Sequence, residues 1–334
     1  MDFRILNPSD YESFRAKIHL IAYSSQFASF ARLAYASTQS FVGIYEGQQL
    51  KAFFPIFSRS GSQSIVEVPL FIYTEIYFVD PHFHIDGNIF GRELQRFLNC
   101  DVLRLNVYPF QFPNNFSTDG YEKLFTAMIV SLRDIHSIDE YLQKIISKNA
   151  RSKIYKGQHS GLSIHALDAS HLQEFYALYE RHIRHLRSTP HSLEYFRHIM
   201  NSYSLGQDLM MFGVRREGKL IAANLLVQQG DYVEVKFLAD DIEERKVFPN
   251  NFLYSEMMRW AIARGVKYVD FGGIPNSMRS NIEFKKSFGA REYPIYTKYV
   301  YRNILQHILF RGRRKLEVLQ KYPRLFLKKL ISKS

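Results

Sequence analysis

DLMMFGVRREGKLIAANLLVQQGDYVEVKFL, residues 208–238, holds three apolar, β-prone runs separated by the turn signals Glu217-Gly218 and Gly230-Asp231. Runs of this kind between glycine-containing pairs read as strands joined by hairpins. The stretch therefore predicts strands over 208–216, 219–228 and 231–238 as an antiparallel meander. Downstream, Pro249-Asn250-Asn251 precedes Leu253, Met257, Trp260 and Ala261, whose i, i+4, i+7, i+8 spacing marks one face of a helix ending near Gly265. A strand is predicted over 267–271, broken by Gly272-Gly273, and another over 292–301. Upstream, the pattern gives a helix over 138–150, a strand over 162–166 and helices over 169–186 and 192–203. Helices interleaved with a largely antiparallel sheet place this half in the α/β (α+β) layer folds.

The first hairpin has a counterpart 171 positions earlier. Phe41-Val-Gly-Ile-Tyr-Glu-Gly-Gln-Gln-Leu-Lys-Ala52 parallels Phe212-Gly-Val-Arg-Arg-Glu-Gly-Lys-Leu-Ile-Ala-Ala223, which points to an internal duplication. The earlier half reads as helices near 9–20, 24–36 and 89–99, with strands near 41–57, 64–79, 101–107 and 122–131. Three segments are expected: a domain over 1–137, a second over 138–301 and a tail over 302–334. The tail carries ten Lys/Arg against the single acid Glu317, so most of the net charge of +12 is local to it. Leu305, Ile308, Leu309, Leu316 and Leu319 share a helical arc there, with Arg311, Arg314 and Lys321 away from it. An apolar stripe beside cations suits an anionic membrane surface; cations alone would suit a nucleic acid.

Composition excludes several classes. The chain has 334 residues, 46% of them hydrophobic and 15% aromatic, which is enough for two cores and far from a disordered composition. A single cysteine, Cys100, leaves no intrachain disulfide and fits a reducing compartment. Acids and Pro8 stand near the start, where a secretion signal would be apolar, and the run Leu70 to Val79 contains Glu75 and is too short to span a bilayer. His82-Phe-His84-Ile-Asp86 lacks a further histidine at Gly87, and His182 and His185 sit among arginines, so no metal site is expected. No Walker loop, dinucleotide fingerprint or Gly-x-Ser-x-Gly occurs.

One ordered set of residues carries a family resemblance. Pro249-Asn250, Tyr254, Trp260-Ala261, Gly265, Asp270-Phe271-Gly272-Gly273 and Phe284-Lys285-Lys286-Ser287-Phe288-Gly289, preceded by Arg151-Ser-Lys-Ile154, resemble the Fem-like and BioF2-like acyltransferases. These belong to the GNAT fold, and the likeness covers about 141–300. It implies two tandem GNAT-like domains, in agreement with the duplicated hairpin. It also implies that Lys285 acts on the donor and the reaction intermediate, with Phe284 walling the channel and Tyr254 hydrogen bonding to a substrate. Acyl transfer to an amine passes through an oxyanion that a placed cation stabilises, so Lys285 is the first catalytic candidate. Glu283 is a candidate for the amine's proton. Asp270, Gly272, Gly273 and Asn250 are candidate binding residues, and Arg151 and Arg187 candidates for clamping acceptor phosphates.

The expected activity is N-acyl transfer from an activated donor, acyl-CoA, an acyl-carrier thioester or aminoacyl-tRNA, to an amine of a cell-envelope glycan or peptidoglycan precursor. The donor is a co-substrate, and no bound cofactor is expected. No Arg/Gln-x-x-Gly-x-Gly/Ala pyrophosphate loop follows any predicted strand, which leaves the choice between acyl-CoA and tRNA open. A phosphorylated or lipid-linked acceptor, a monomeric state and a cytoplasmic location with peripheral membrane contact complete the expectation. Two rivals share the fold: a non-catalytic double-GNAT module binding nucleic acid or membrane, and an aminoacyl-tRNA-protein transferase.

Overall fold

A computed structural model describes residues 1–7, 10, 13–14, 18, 21–59, 65–67, 76–107, 114–310 and 312, with 59 and 65–67 described as backbone only. The first half contributes β1 (Asp2–Ile5), β2 (Ser37–Glu46), β3 (Gln49–Arg59), β4 (Ile65–Glu67), β5 (Tyr77–Phe78), β6 (Val102–Val107) and β7 (Glu122–Ser131). The second contributes β8 (Leu162–Ala166), β9 (Leu209–Arg216), β10 (Lys219–Gln229), β11 (Tyr232–Asp240), β12 (Tyr268–Pro275) and β13 (Arg291–Tyr301). All join one mixed sheet in the order β1-β2-β3-β4-β6-β13-β7-β12-β11-β10-β9-β8, with β5 on β3. The helices are α1 (Ser25–Tyr35), α2 (Gly87–Phe97), α3 (Ile138–Lys144), α4 (Lys148–Gln158), α5 (Leu172–His185), α6 (Leu193–Ser202), α7 (Pro249–Ala263) and α8 (Arg279–Lys286).

The sheet crosses residue 137 without a gap. β13, from the end of the chain, pairs antiparallel with both β6 and β7, while β7 also pairs with β12. The two halves thus exchange strands. They also share a core: Phe27, Phe53 and Phe57 from the first half pack in one cluster with Phe175, Phe196 and Leu225 from the second. A separate cluster lies under α3, α4, α7 and α8 on the opposite face, built from Tyr141, Ile154, Tyr254, Met257 and Phe288. A third fills the space between α2 and the first half's strands.

The meander at 208–238 forms as read. The two similar hairpins turn one residue apart, however. In the second, Glu217 and Gly218 (φ 52° and 80°) are the two loop residues; in the first, Glu46 still pairs with Gln49 and Gly47 (φ 61°) opens the loop. Register shifts at Ile44/Tyr45 and Leu220/Ala222 absorb the difference. The helix expected over 138–150 is two helices, because the Ser147 hydroxyl accepts from Ala150 N at 3.2 Å and starts α4 afresh. Gly272-Gly273 does not end the strand expected at 267–271; β12 runs to Pro275 through a bulge. β1 and α8 were not foreseen. The helix at 9–20 lies largely outside the described residues, as do much of 64–79 and the tail beyond 312.

Candidate active site

β11 and β12 run parallel but pair only at Tyr232↔Tyr268, Val233↔Val269 and Glu234↔Asp270. After that rung β12 bulges and pairs with β7 from Gly273↔Ala127 onward, while β11 continues along β10. Two parallel strands that part in mid-sheet leave a slot between its faces. Asp270 holds the corner. Fully buried, it accepts from the Tyr232 hydroxyl at 2.5 Å and from Gly272 N at 2.8 Å. The φ of 81° at Gly272 is what lets the chain turn within two residues of that carboxylate. The structure thus gives Asp270 the work of a strand-corner brace, with Gly272 and Gly273 at the edge of the slot.

Lys285 reaches the same region from α8. Its ammonium donates to the Tyr254 hydroxyl and lies 4.2, 4.6 and 5.7 Å from the ring centroids of Tyr254, Phe271 and Phe284. Only 9% of the residue is exposed. A buried amine among rings is costly to protonate, and burial pushes Lys285 down to about 7. The aromatic faces and the Tyr254 oxygen hold whatever charge it carries. Tyr254 is fully buried on α7, packed against Phe271, Phe284 and Phe288 at 5.0, 5.7 and 5.1 Å; burial, then the Asp240 charge, pushes its phenol up. The lysine and tyrosine therefore meet as N–H and O–H groups able to donate to a third atom.

The Phe-Lys-x-x-Phe-Gly element divides its labour. Phe284 and Lys285 lie against Tyr254, and Lys285 also against Phe271, whereas Phe288 and Gly289 seat α8 on α3 and α4. The Tyr141 hydroxyl donates to Phe288 O at 2.7 Å, and Ser147 N donates to Ser287 O at 2.9 Å. Gly289 has a φ of 81°, and a Cβ there would overlap the Ile145 side chain. Gly157 on α4 likewise lets α7 approach, since a Cβ would lie 3.2 Å from Phe252 Cβ.

The other predicted site residues fall elsewhere. Asn250 opens α7 and donates to Asp240 Oδ2 at 3.0 Å. Asp240 also takes His182 Nδ1 at 2.6 Å and Arg245 Nε at 2.6 Å. Burial would raise this carboxyl, yet His182 and Arg245 outweigh it and hold it well below the usual carboxylate range. The β11–α7 connection is therefore tied by a carboxylate. Arg151 donates to Gln143 O at 3.2 Å and lines, with Lys148, Tyr155, Lys156 and His159, a basic groove of about 530 Å³ along α4. Glu283 is on the solvent side of α8, its side chain 65% exposed and paired with Lys286 at 3.2 Å, because it lies two positions from Lys285 on a helix. It does not face the slot. Arg187 is exposed in the turn after α5. Asp86 caps α2 through Asn88 N and Ile89 N, and His84 Nδ1 meets Asn114 O at 2.9 Å, so those two side chains are engaged in loop structure.

Sequence reasoning missed Glu234. This buried residue on β11 lines a cavity of about 250 Å³ on the shared-core side of the slot, with Phe27, Phe30, Tyr195 and Phe237. The Val-Glu-Val alternation puts the glutamate on the strand face opposite Val233 and Val235, and gives no signal that this face is covered.

Residues 146–286 match a family profile described as an acetyltransferase (GNAT) domain. Among solved structures, FemX is similar at 16% identity and TM-score 0.62, over 89% of this chain and 97% of that one. A tandem GNAT protein from the clavulanic acid biosynthesis pathway is 13% identical at TM-score 0.53, over 89% and 98%. The C-terminal domain (DUF2156) of a proposed lysylphosphatidylglycerol synthetase from Agrobacterium fabrum is 14% identical at TM-score 0.54, over 94% and 98%. No curated protein matches in sequence. Residues 146–286 thus match a GNAT domain, and the fold of the chain is like that of a tandem GNAT protein, in line with the fold that the duplicated hairpin and the resemblance implied.

Proposed function

We propose that the chain is an N-acyltransferase that moves an acyl or aminoacyl group from an activated ester or thioester, acyl-CoA or aminoacyl-tRNA, to an amine of a cell-envelope precursor. The observation that carries this reading is the buried Lys285 amine, hydrogen bonded to Tyr254 and 4.6 Å from the ring of Phe271, which follows the last β11/β12 rung. A cation that is desolvated before reaction is worth most where negative charge develops, which is the carbonyl oxygen of the tetrahedral intermediate. Phe284 and Phe271 keep water from the ammonium, and Gly272 and Gly273 lie at the slot edge. The names of the similar structures, FemX and a lysylphosphatidylglycerol synthetase domain, support an envelope acceptor.

Acceptor chemistry is supported by the basic α4 groove, where Arg151, Lys148 and Lys156 suit phosphate. Location is supported by residues 304–310, which form a helix that rests on Tyr299 and Tyr301 through Phe310 and His307. Its other side exposes Ile304, Leu305, Ile308 and Leu309, each at least half accessible. Leading into a basic tail, this face suits an anionic membrane. No helix among the described residues is long and apolar enough to cross one. The domain division 1–137, 138–301 and 302–334 stays part of this reading, the first unit bracing the second.

The test offers purified protein acyl-CoA and charged tRNA in parallel, with envelope precursors as acceptors, and identifies products by mass spectrometry. Product from one donor is expected, falling at least about a hundredfold in Lys285→Ala. No product from either donor would leave a binding module.

A further inference from the structure

We infer that the cavity of about 700 Å³ along the last residues of β13, between α2 and the helix over residues 304–310, is a receptor for the phosphate of an anionic phospholipid, held by Arg92 and Lys298. The inference deepens the membrane-facing reading of residues 304–310 and stands apart from the transfer chemistry. β13 pairs with β7 only as far as Thr297↔Glu122, whereas with β6 it pairs on to Tyr301↔Val102. Residues 298–301 therefore have one edge with no strand partner among the described residues, and the cavity follows it. That is why side chains from both faces of the sheet line it: Lys298 and Val300 beside α2, Tyr299 and Tyr301 beside the helix over 304–310.

Two cations meet there without an anion. Lys298 is half-buried; its ammonium donates to Asn88 Oδ1 at 2.7 Å and lies 4.8 Å from the centroid of the Tyr121 ring. Gly91 lets α2 come this near, since a Cβ there would lie 3.0 Å from Val300 Cγ2 and 3.8 Å from Lys298 Cδ. Arg92 is exposed one turn beyond Asn88, on the same side of α2. Burial first, then the Arg92 charge, pushes Lys298 below the ordinary lysine range, and Asp86 offsets only part of this. Asp86 is already engaged as the cap of α2, accepting from Asn88 N and Ile89 N. The neighbouring cation Arg302 is by contrast neutralised by Asp101 at 3.2 Å and tied to Asn99 O. Neither Arg92 nor Lys298 has a carboxylate partner among the described residues. A phosphate relieves their repulsion, and its oxygens suit both a guanidinium fork and a point charge.

The next wall decides which phosphate. Ile304 and His307 close the cavity, and Ile304, 72% exposed, begins an apolar face that continues through Leu305, Ile308 and Leu309. Exposed aliphatic side chains contiguous with a cation pair add nothing against a nucleic acid, but they match a molecule that is anionic at one end and apolar at the other. The aromatic wall agrees. Tyr299 and Tyr301 stack at 6.4 Å and carry Phe310 and His307 at 5.5 and 4.6 Å, and amphipathic rings of this kind favour the headgroup level of a bilayer. With the phosphate on Arg92 and Lys298, the acyl chains run over Ile304 and Ile308, and the end of β13 faces the membrane.

The test uses the full chain and co-sedimentation with phosphatidylcholine vesicles that contain phosphatidylglycerol, against vesicles of phosphatidylcholine alone. A cation near an anionic surface is worth about fivefold in affinity, so Arg92→Gln/Lys298→Gln should weaken binding to the phosphatidylglycerol vesicles roughly 30-fold. Arg92→Lys/Lys298→Arg, which keeps both charges, should bind like the parent. Arg32→Gln/Arg279→Gln, which removes the same charge from exposed positions elsewhere, should change binding little. Transfer to a soluble acceptor should be equal in the parent and the cavity variant. No binding of the parent to either vesicle would remove the membrane reading and this site together, leaving the transfer reading untouched. Binding that the folded cavity variant retains, or that the Arg32/Arg279 variant loses equally, would overturn the phosphate site alone. A cavity variant that keeps vesicle binding but loses binding to tRNA, or loses stabilisation by inorganic phosphate, would assign the cavity to another phosphate and overturn the proposal as well.

Discussion

Replacing Lys285 by methionine should make the protein more stable and less active, with a gain that depends on pH in a calculable way. The native amine titrates at about 7 against an ordinary 10.5. At about 1.36 kcal/mol per unit, this is a burial cost of roughly 5 kcal/mol. Below pH 7 native and unfolded chains are both protonated, and the native state bears the whole cost. Between pH 7 and 10.5 the unfolded chain holds more protons, so parent stability rises with pH; above 10.5 both forms are neutral and the cost is gone. Methionine replaces most of the side chain with apolar atoms but removes the ammonium and strands the Tyr254 hydroxyl, which returns about 1–3 kcal/mol. A net gain of about 2–4 kcal/mol is expected at pH 6.5, on the order of 3–6 °C in Tm for a chain of 334 residues. The assay is thermal unfolding of parent and variant at pH 6.5 and 10.5, alongside transfer kinetics. A gain that is equal at both pH values, or a loss at pH 6.5, would refute a strained, desolvated amine. A stabilised variant that transfers normally would remove Lys285 from the chemistry.

Gly289→Ala should cost about 2–4 kcal/mol through its φ of 81° and the overlap with Ile145, lowering the denaturation midpoint with the unfolding slope unchanged. A neutral effect would mean that α8 is not seated as described. Removing 302–334 should weaken binding to vesicles containing phosphatidylglycerol and spare transfer to a soluble acceptor; undiminished vesicle binding would sink the membrane role.

Much of the fold was legible because hairpin chemistry is local. Glu217-Gly218 and Gly230-Asp231 announce their turns, and the apolar face of α7 is written in Leu253, Met257 and Ala261. What failed was governed by neighbours distant in sequence. Gly272-Gly273 resembles a strand end, but pairing of β12 with β7 converts it to a bulge. Glu283 and Lys285 are equally polar in sequence, and only the aromatic rings brought by α7 and β12 decide that one is solvated and the other caged. Glu234 was hidden for the opposite reason: a charged residue in an alternating strand ordinarily faces water, and α1 and α6 cover that face here.

The exchange of strands explains why a half without its own catalytic candidates is present. A slot between parallel strands removes ladder hydrogen bonds from both edges, and β12 would be left with few partners beyond Asp270. β7 supplies them from Gly273↔Ala127 to Pro275↔Phe125, and β13 fastens β7 to β6 on its other side. The first half also brings Phe27 and Phe30 to the Glu234 cavity on α1, while Ser24 caps that helix by accepting from Phe27 N at 3.0 Å. The duplication thus divides the work: the half with the second hairpin carries the divergent strands β11 and β12 and Lys285, and the half with the first supplies β7 to β12 and Phe27 and Phe30 to the cavity.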